Sequence, residues 1–154
     1  DTFFASQLMD AYRSHTCELL SVRLRAYACK GTWAGHSIAV SAAVPTAGPI
    51  AALTRASIRP AAVASFWRMQ PAAEAALADA RGCLLTAGVG EAPVFRQATF
   101  SLWESVAAMD AYARTGAHLA AIRAAYDGKY FSESMFVRFV PYALQGSYKG
   151  VRYG

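Results

Sequence analysis

The sequence predicts an α+β protein built on the ferredoxin-like βαββαβ unit, duplicated as in a dimeric α/β barrel, with the first copy incomplete in this chain. Two observations predict it. Residues 133–150 (ESMFVRFVPYALQGSYKG) repeat residues 18–35 (ELLSVRLRAYACKGTWAG) without a gap, at a constant spacing of 115 residues. Residues 50–140 then show strand and helix periodicities in the order βαββαβ, the split βαβ unit whose antiparallel sheet carries two helices on one face.

The repeat keeps Glu18/Glu133, Val22/Val137, Arg23/Arg138, Tyr27/Tyr142, Ala28/Ala143, Gly31/Gly146 and Gly35/Gly150 identical, and Thr32/Ser147 and Trp33/Tyr148 similar in type. Its spacing is too long for a solenoid turn and suits a small domain. MDAY also recurs (Met9–Tyr12, Met109–Tyr112), at another spacing and without flanking matches; it is coincidence. Residues 1–30 are therefore read as the last helix and strand of an incomplete first copy, 31–49 as a connector, and 50–154 as a complete second copy.

Phe3, Phe4, Leu8, Ala11 and Tyr12 fall at helical spacing, so residues 2–13 read as a helix, followed by a strand over 18–27. Gly31, Gly35, Pro45, Gly48 and Pro49 make 31–49 loop-like. Residues 50–59 alternate as a strand, with Leu53, Arg55, Ser57 and Arg59 on one face. Pro60 suits a first helical turn, and Val63, Phe66, Trp67, Ala73 and Leu77 form an apolar stripe with a kink expected at Pro71. Strands follow at 84–89 and 95–103, then a helix capped by Ser105 and broken near Thr115-Gly116, then a strand at 135–140. Two such sheets placed face to face enclose an apolar cavity. The incomplete copy would leave one sheet edge open, to be filled by an N-terminal fragment of the same protein or by a second protomer; the chain is expected to be a processed, proteolysed or split product.

With 55% hydrophobic and 16% charged residues the chain can bury a core. A net charge of +5 permits contact with anionic lipid or acidic partners, but no Lys or Arg run exists, so nucleic acid is not an expected partner. Cys17, Cys29 and Cys83 lack the spacing of a zinc site or a disulfide framework, which makes a reducing cytoplasm the default compartment. No apolar run reaches membrane-spanning length. No P-loop, GxGxxG, Ser-His-Asp order or carboxylate pair stands out.

GTWAGHS (31–37), PIAALTRASIRP (49–60), FWR (66–68), GVGEAPVFRQATFSLWES (88–105) and ESMFVRF (133–139) together resemble the spheroidene monooxygenase family, the acyclic carotenoid 2-ketolases of purple photosynthetic bacteria. The resemblance runs over nearly the whole chain and corresponds to the C-terminal two-thirds of such a protein. It implies a haem-dependent monooxygenase that takes electrons from a ferredoxin-type donor and oxidises the terminal C-2 methylene of a linear carotenoid to a ketone. It also implies peripheral contact with the inner or photosynthetic membrane from the cytoplasmic side. LWES (102–105) opening a helix, with a helical His downstream, is similar to haem-degrading monooxygenases of the dimeric α/β barrel class. Haem degradation and non-catalytic haem or lipid carriage are the alternatives.

If the cofactor is haem, the histidines are the first candidates to bind its iron. His118 is the expected metal ligand: on the last helix it lies about 40° around from Ile122, at the edge of the apolar stripe. His36, in the Gly-rich connector, is the second candidate, and His15 at a helix C-terminus is not favoured. Arg55 and Arg59 on one strand, with Arg96 on a neighbour, are the expected cations for the haem propionates. Phe66, Trp67, Phe95, Phe100, Trp103, Phe136 and Phe139 could line a cavity for a polyene, although most suit an ordinary core. Duplication of the Glu18/Arg23 and Glu133/Arg138 sets points to structural ion pairing rather than catalysis.

Overall fold

In a computed structural model of the protein, residues 5–92, 94–114 and 116–154 are described, apart from the side chains of Glu91, Ala117, His118, Ala121 and Tyr126. By compactness the chain divides into Arg25–Val140 and a smaller unit formed by residues 1–24 with Pro141–Gly154. This is a division by packing, separate from the division by repeat copies.

The larger unit contains the expected βαββαβ order. β1 (Leu20–Gly31) enters it, followed by β2 (Ile50–Ile58), α2 (Val63–Ala78), β3 (Cys83–Ala92), β4 (Arg96–Trp103), α3 (Val106–Ala113), α4 (Gly116–Asp127) and β5 (Phe131–Tyr148). The sheet order is β1-β5-β2-β4-β3. The central strand β2 pairs antiparallel with β4, Leu53 opposite Phe100, and with β5, Leu53 opposite Val137. β1 runs past its expected end to Gly31, and β5 extends beyond the expected 135–140 on both sides, its residues 141–148 belonging to the smaller unit.

Local chemistry sets the helix ends. The Ser105 hydroxyl accepts the Ala108 N–H at 3.1 Å and starts α3. α2 runs on through Pro71 to Ala78. The helices lie on one face of the sheet, where Tyr27, Ile50, Leu77, Trp103 and Met109 form a buried cluster. Trp103 is 1% exposed and donates its indole N–H to Ser101 Oγ at 2.9 Å, so its polar atom is satisfied within the core. On the opposite face Leu102, Met135 and Val137 are also buried.

In the smaller unit, α1 (Gln7–His15) starts at Ser6, whose Oγ accepts from Met9 N, and β6 (Val151–Tyr153) folds back on the end of β5. The expected helix over 2–13 overlaps α1; its first residues lie outside those described.

Candidate functional site

The face of the sheet away from the helices becomes charged at one end. Ser57 stands opposite Glu133 on one side and Arg96 on the other, and Arg55 lies two residues further along the same strand face. A tight hairpin from the connector lies against this end. Trp33 and His36 exchange backbone hydrogen bonds at 2.8 and 3.1 Å around Ala34 (φ 52°) and Gly35 (φ 78°). Positive φ at both central residues is the geometry of a two-residue hairpin turn, and Gly35 suits it. Ala34 does not, at a cost of about 1–2 kcal/mol.

Glu133 holds the hairpin in place. Its carboxylate accepts the Ala34 and Gly35 N–H groups, each at 3.0 Å, and the Thr32 hydroxyl at 2.8 Å. The Gly35 N–H, then Thr32 and Ala34, hold this carboxyl below the usual glutamate range. The anchored turn places the half-buried Trp33 ring 3.7 Å from the Arg55 guanidinium and 5.9 Å from that of Arg96. Burial first, and the like charge of Arg96 second, lower the Arg55 pKa, while Glu133 opposes them. The corner therefore carries cationic potential that an added carboxylate would relieve.

Of the expected site residues, the fold gathers His36, Arg55 and Arg96. Trp33 and His36 face each other across the hairpin, so their side chains leave the same face of that ribbon. Arg59 falls outside: the β2–β5 register shifts after Ser57, β2 ends at Ile58, and the Arg59 Nε donates to the Phe131 carbonyl at 3.1 Å. His118 lies in α4, but its side chain is outside those described. Trp33 and Glu133 are the site residues that reading the chain as a connector and an ion pair overlooked. The signal available was the duplicated Gly35/Gly150 turn.

Cys83 is half-buried and donates to the Leu85 carbonyl at 3.6 Å, and burial raises its pKa, which makes it a core thiol. Trp103 and Phe139 are core, and Phe66 packs edge-on against Trp67 and Phe131. Among the described residues no three His, Cys, Asp or Glu side chains gather around a metal position. For haem, the Trp33 corner offers two guanidiniums, at 3.7 and 5.9 Å from the indole ring, that suit the acidic edge of the macrocycle, and His36 is exposed on the same hairpin. An open groove of about 580 Å³ in the smaller unit, lined among others by Arg13, Leu19, Ser21, Arg23 and Gln145, has no imidazole, thiol or phenol among its lining residues and does not fit as an iron site.

No established family profile matches the chain. It is 54% identical over 149 residues to the spheroidene monooxygenase of Rubrivivax gelatinosus, covering 97% of this chain and 57% of that protein. Against the spheroidene monooxygenase of Rhodobacter capsulatus it is 36% identical over 143 residues, covering 90% of this chain and 59% of the relative. The chain thus spans somewhat over half the length of these relatives. Among solved structures, SnoaB, a cofactor-independent oxygenase of Streptomyces nogalater, superposes with a TM-score of 0.52 at 16% identity, over 63% of this chain and 96% of that one. That likeness establishes the ferredoxin-like α+β fold.

Proposed function

We propose, from the premise that this chain belongs to the spheroidene monooxygenase family over the part of those proteins it spans, that it forms part of a monooxygenase acting on a linear carotenoid, with haem as cofactor and a ferredoxin-type protein as electron donor. The observation that carries this reading is the 54% identity over 149 residues. In it the substrate's terminal C-2 methylene is hydroxylated twice, and the resulting diol loses water to leave a ketone.

When bound, haem supplies the iron at which dioxygen is activated. The residues of this chain bind and orient. Arg55 and Arg96 neutralise the propionates, Trp33 shields the Arg55 guanidinium from water, and Glu133 fixes the hairpin that carries Trp33. His36 and His118 are the two candidate ligands. Leu53 and Phe100, half-buried on the same sheet face as Arg55, offer apolar surface to a polyene. A net charge of +5 favours peripheral attachment to an anionic membrane, where such a substrate resides; among the described residues no helix is long and apolar enough to cross one.

The test is the absorption spectrum of the 154-residue protein titrated with haemin, for the wild type, His36→Ala and His118→Ala, followed by turnover with reductant and a spheroidene-like carotenoid. We expect a Soret band, altered in one of the two variants, and a product that has gained one oxygen and lost two hydrogens. A band without product would favour a carrier, and verdin with released iron would favour haem degradation. If no band forms, the haem assignment is wrong; an equal band in all three proteins eliminates both histidines as ligands.

A further inference from the structure

The repeat and the fold together define an interface that the chain fills in one copy and presents in the other. In the larger unit the edge of β5 is filled by β2, with Ser57 opposite Glu133, Arg55 opposite Met135 and Ala51 opposite Phe139. On the helix side of that strand Arg138 meets Asp110 of α3 at 3.1 Å, beside Tyr27, which is 6% exposed. The first copy carries the matching stretch 115 positions earlier: Glu18–Leu24 align with Glu133–Phe139, with Glu18, Val22 and Arg23 identical to Glu133, Val137 and Arg138.

The two copies also contact each other reciprocally. Glu133 of the second holds the turn at Ala34-Gly35 of the first, and Glu18 of the first accepts the N–H groups of Lys149 and Gly150, at 2.7 and 2.8 Å, in the matching turn of the second. Thr32 N donates to Ser134 O at 3.2 Å, and its counterpart Ser147 N donates to Leu19 O at 2.9 Å. With the strands matched this closely, their surroundings should match too. They do not: β1 ends the strand order of the sheet, and Tyr142 is 55% exposed where its counterpart Tyr27 is 6% exposed. The groove of about 580 Å³, which Arg13 and residues 143–146 also line, includes Leu19, Ser21 and Arg23, the counterparts of Ser134, Phe136 and Arg138 on the row that faces the helices in the second copy.

We propose that the edge Glu18–Leu24 and the face around Arg23 and Tyr142 seat a βαββα segment folded like residues 50–113, carried on polypeptide outside these 154 residues. The repeat fixes its register. The arriving strand runs antiparallel to β1, with its equivalents of Ser57, Arg55 and Ala51 opposite Glu18, Leu20 and Leu24. An acidic equivalent of Asp110 meets Arg23. A second copy of this chain suits the seat less well, because its own residues 50–58 are already paired with its β5. The Rubrivivax gelatinosus relative has the right size of remainder: the matched stretch is 57% of its length, leaving a portion comparable to the repeat spacing.

The test combines the 154-residue protein with a polypeptide comprising the portion of that relative outside the matched stretch. Light scattering after size exclusion should show a one-to-one complex, and amide exchange should slow over Leu20–Leu24 but not over the connector at Ile38–Val44. Arg23→Glu and Tyr142→Ala should each weaken the complex by about tenfold or more, and Val44→Glu should leave it unchanged. The proposal fails if no complex forms, if exchange over Leu20–Leu24 stays the same in a complex that does form, or if the chain alone self-associates and protects that strand.

Discussion

Glu133 shows how one carboxylate can position a candidate site through the backbone of a distant hairpin. Its partners are two backbone N–H groups and a hydroxyl, all favouring the charged form, so its pKa is lower in the folded protein than in an unfolded chain, where it returns to about 4.3. The sign follows: the stabilisation is complete above that ordinary value and is lost as pH falls through the lower folded one. Trp33 should therefore stay on Arg55 from neutral pH down to the ordinary glutamate value of about 4.3 and come away only at the lower pH where the folded carboxylate takes up its proton. The fluorescence difference between wild type and Trp33→Phe measures this, and Glu133→Gln should show the acid form at pH 7. A difference signal flat from pH 6 to pH 3 would count against it. At this scale the sequence was half legible. Duplication pointed to structural ion pairing at Glu133 and Arg138, and Arg138 does pair with Asp110. Glu133, however, accepts from the Ala34 and Gly35 N–H groups and the Thr32 hydroxyl, partners that their distance along the chain hides from the sequence.

Among the elements, the two hairpin turns are the clearest product of the duplication. Ala34-Gly35 and Lys149-Gly150 have φ values of 52° and 78°, and 51° and 77°. Each follows a glycine at positive φ, Gly31 or Gly146, where a Cβ would run into the carbonyl of Ser134 or Leu19. Gly31→Ala and Gly146→Ala should each cost on the order of 3 kcal/mol, from strain plus the lost close approach. Gly48→Ala, at φ 84° with nothing near its Cβ, should cost only about 1–2 kcal/mol. Urea denaturation distinguishes the two; equal losses at Gly31 and Gly48 would mean that the close approach contributes nothing. The periodicities of β2, β4 and α2 revealed those elements, since the spacing of their apolar positions is written in the local sequence. The hairpin at Trp33–His36 escaped because glycine content alone marks a loop, whereas its pairing depends on a carboxylate about a hundred positions away.

For the whole molecule, stability centres on Trp103, which packs beside Tyr112 at 5.3 Å between ring centroids and joins β4 to the helices. Trp103→Ala should cost about 3–5 kcal/mol and lower the midpoint of thermal and urea unfolding together; a loss below 1 kcal/mol would show that the helix layer is held elsewhere. By itself the sequence determined the α+β class, the βαββαβ order and the duplication, because hydrophobic periodicity and repeated residues are local properties of the chain. Only the tertiary structure decided that His36, Arg55, Arg96, Trp33 and Glu133 share one corner while Arg59 turns away. The reason is that strand register and the seating of a distant hairpin arise from pairing between segments far apart in sequence, which no local pattern encodes.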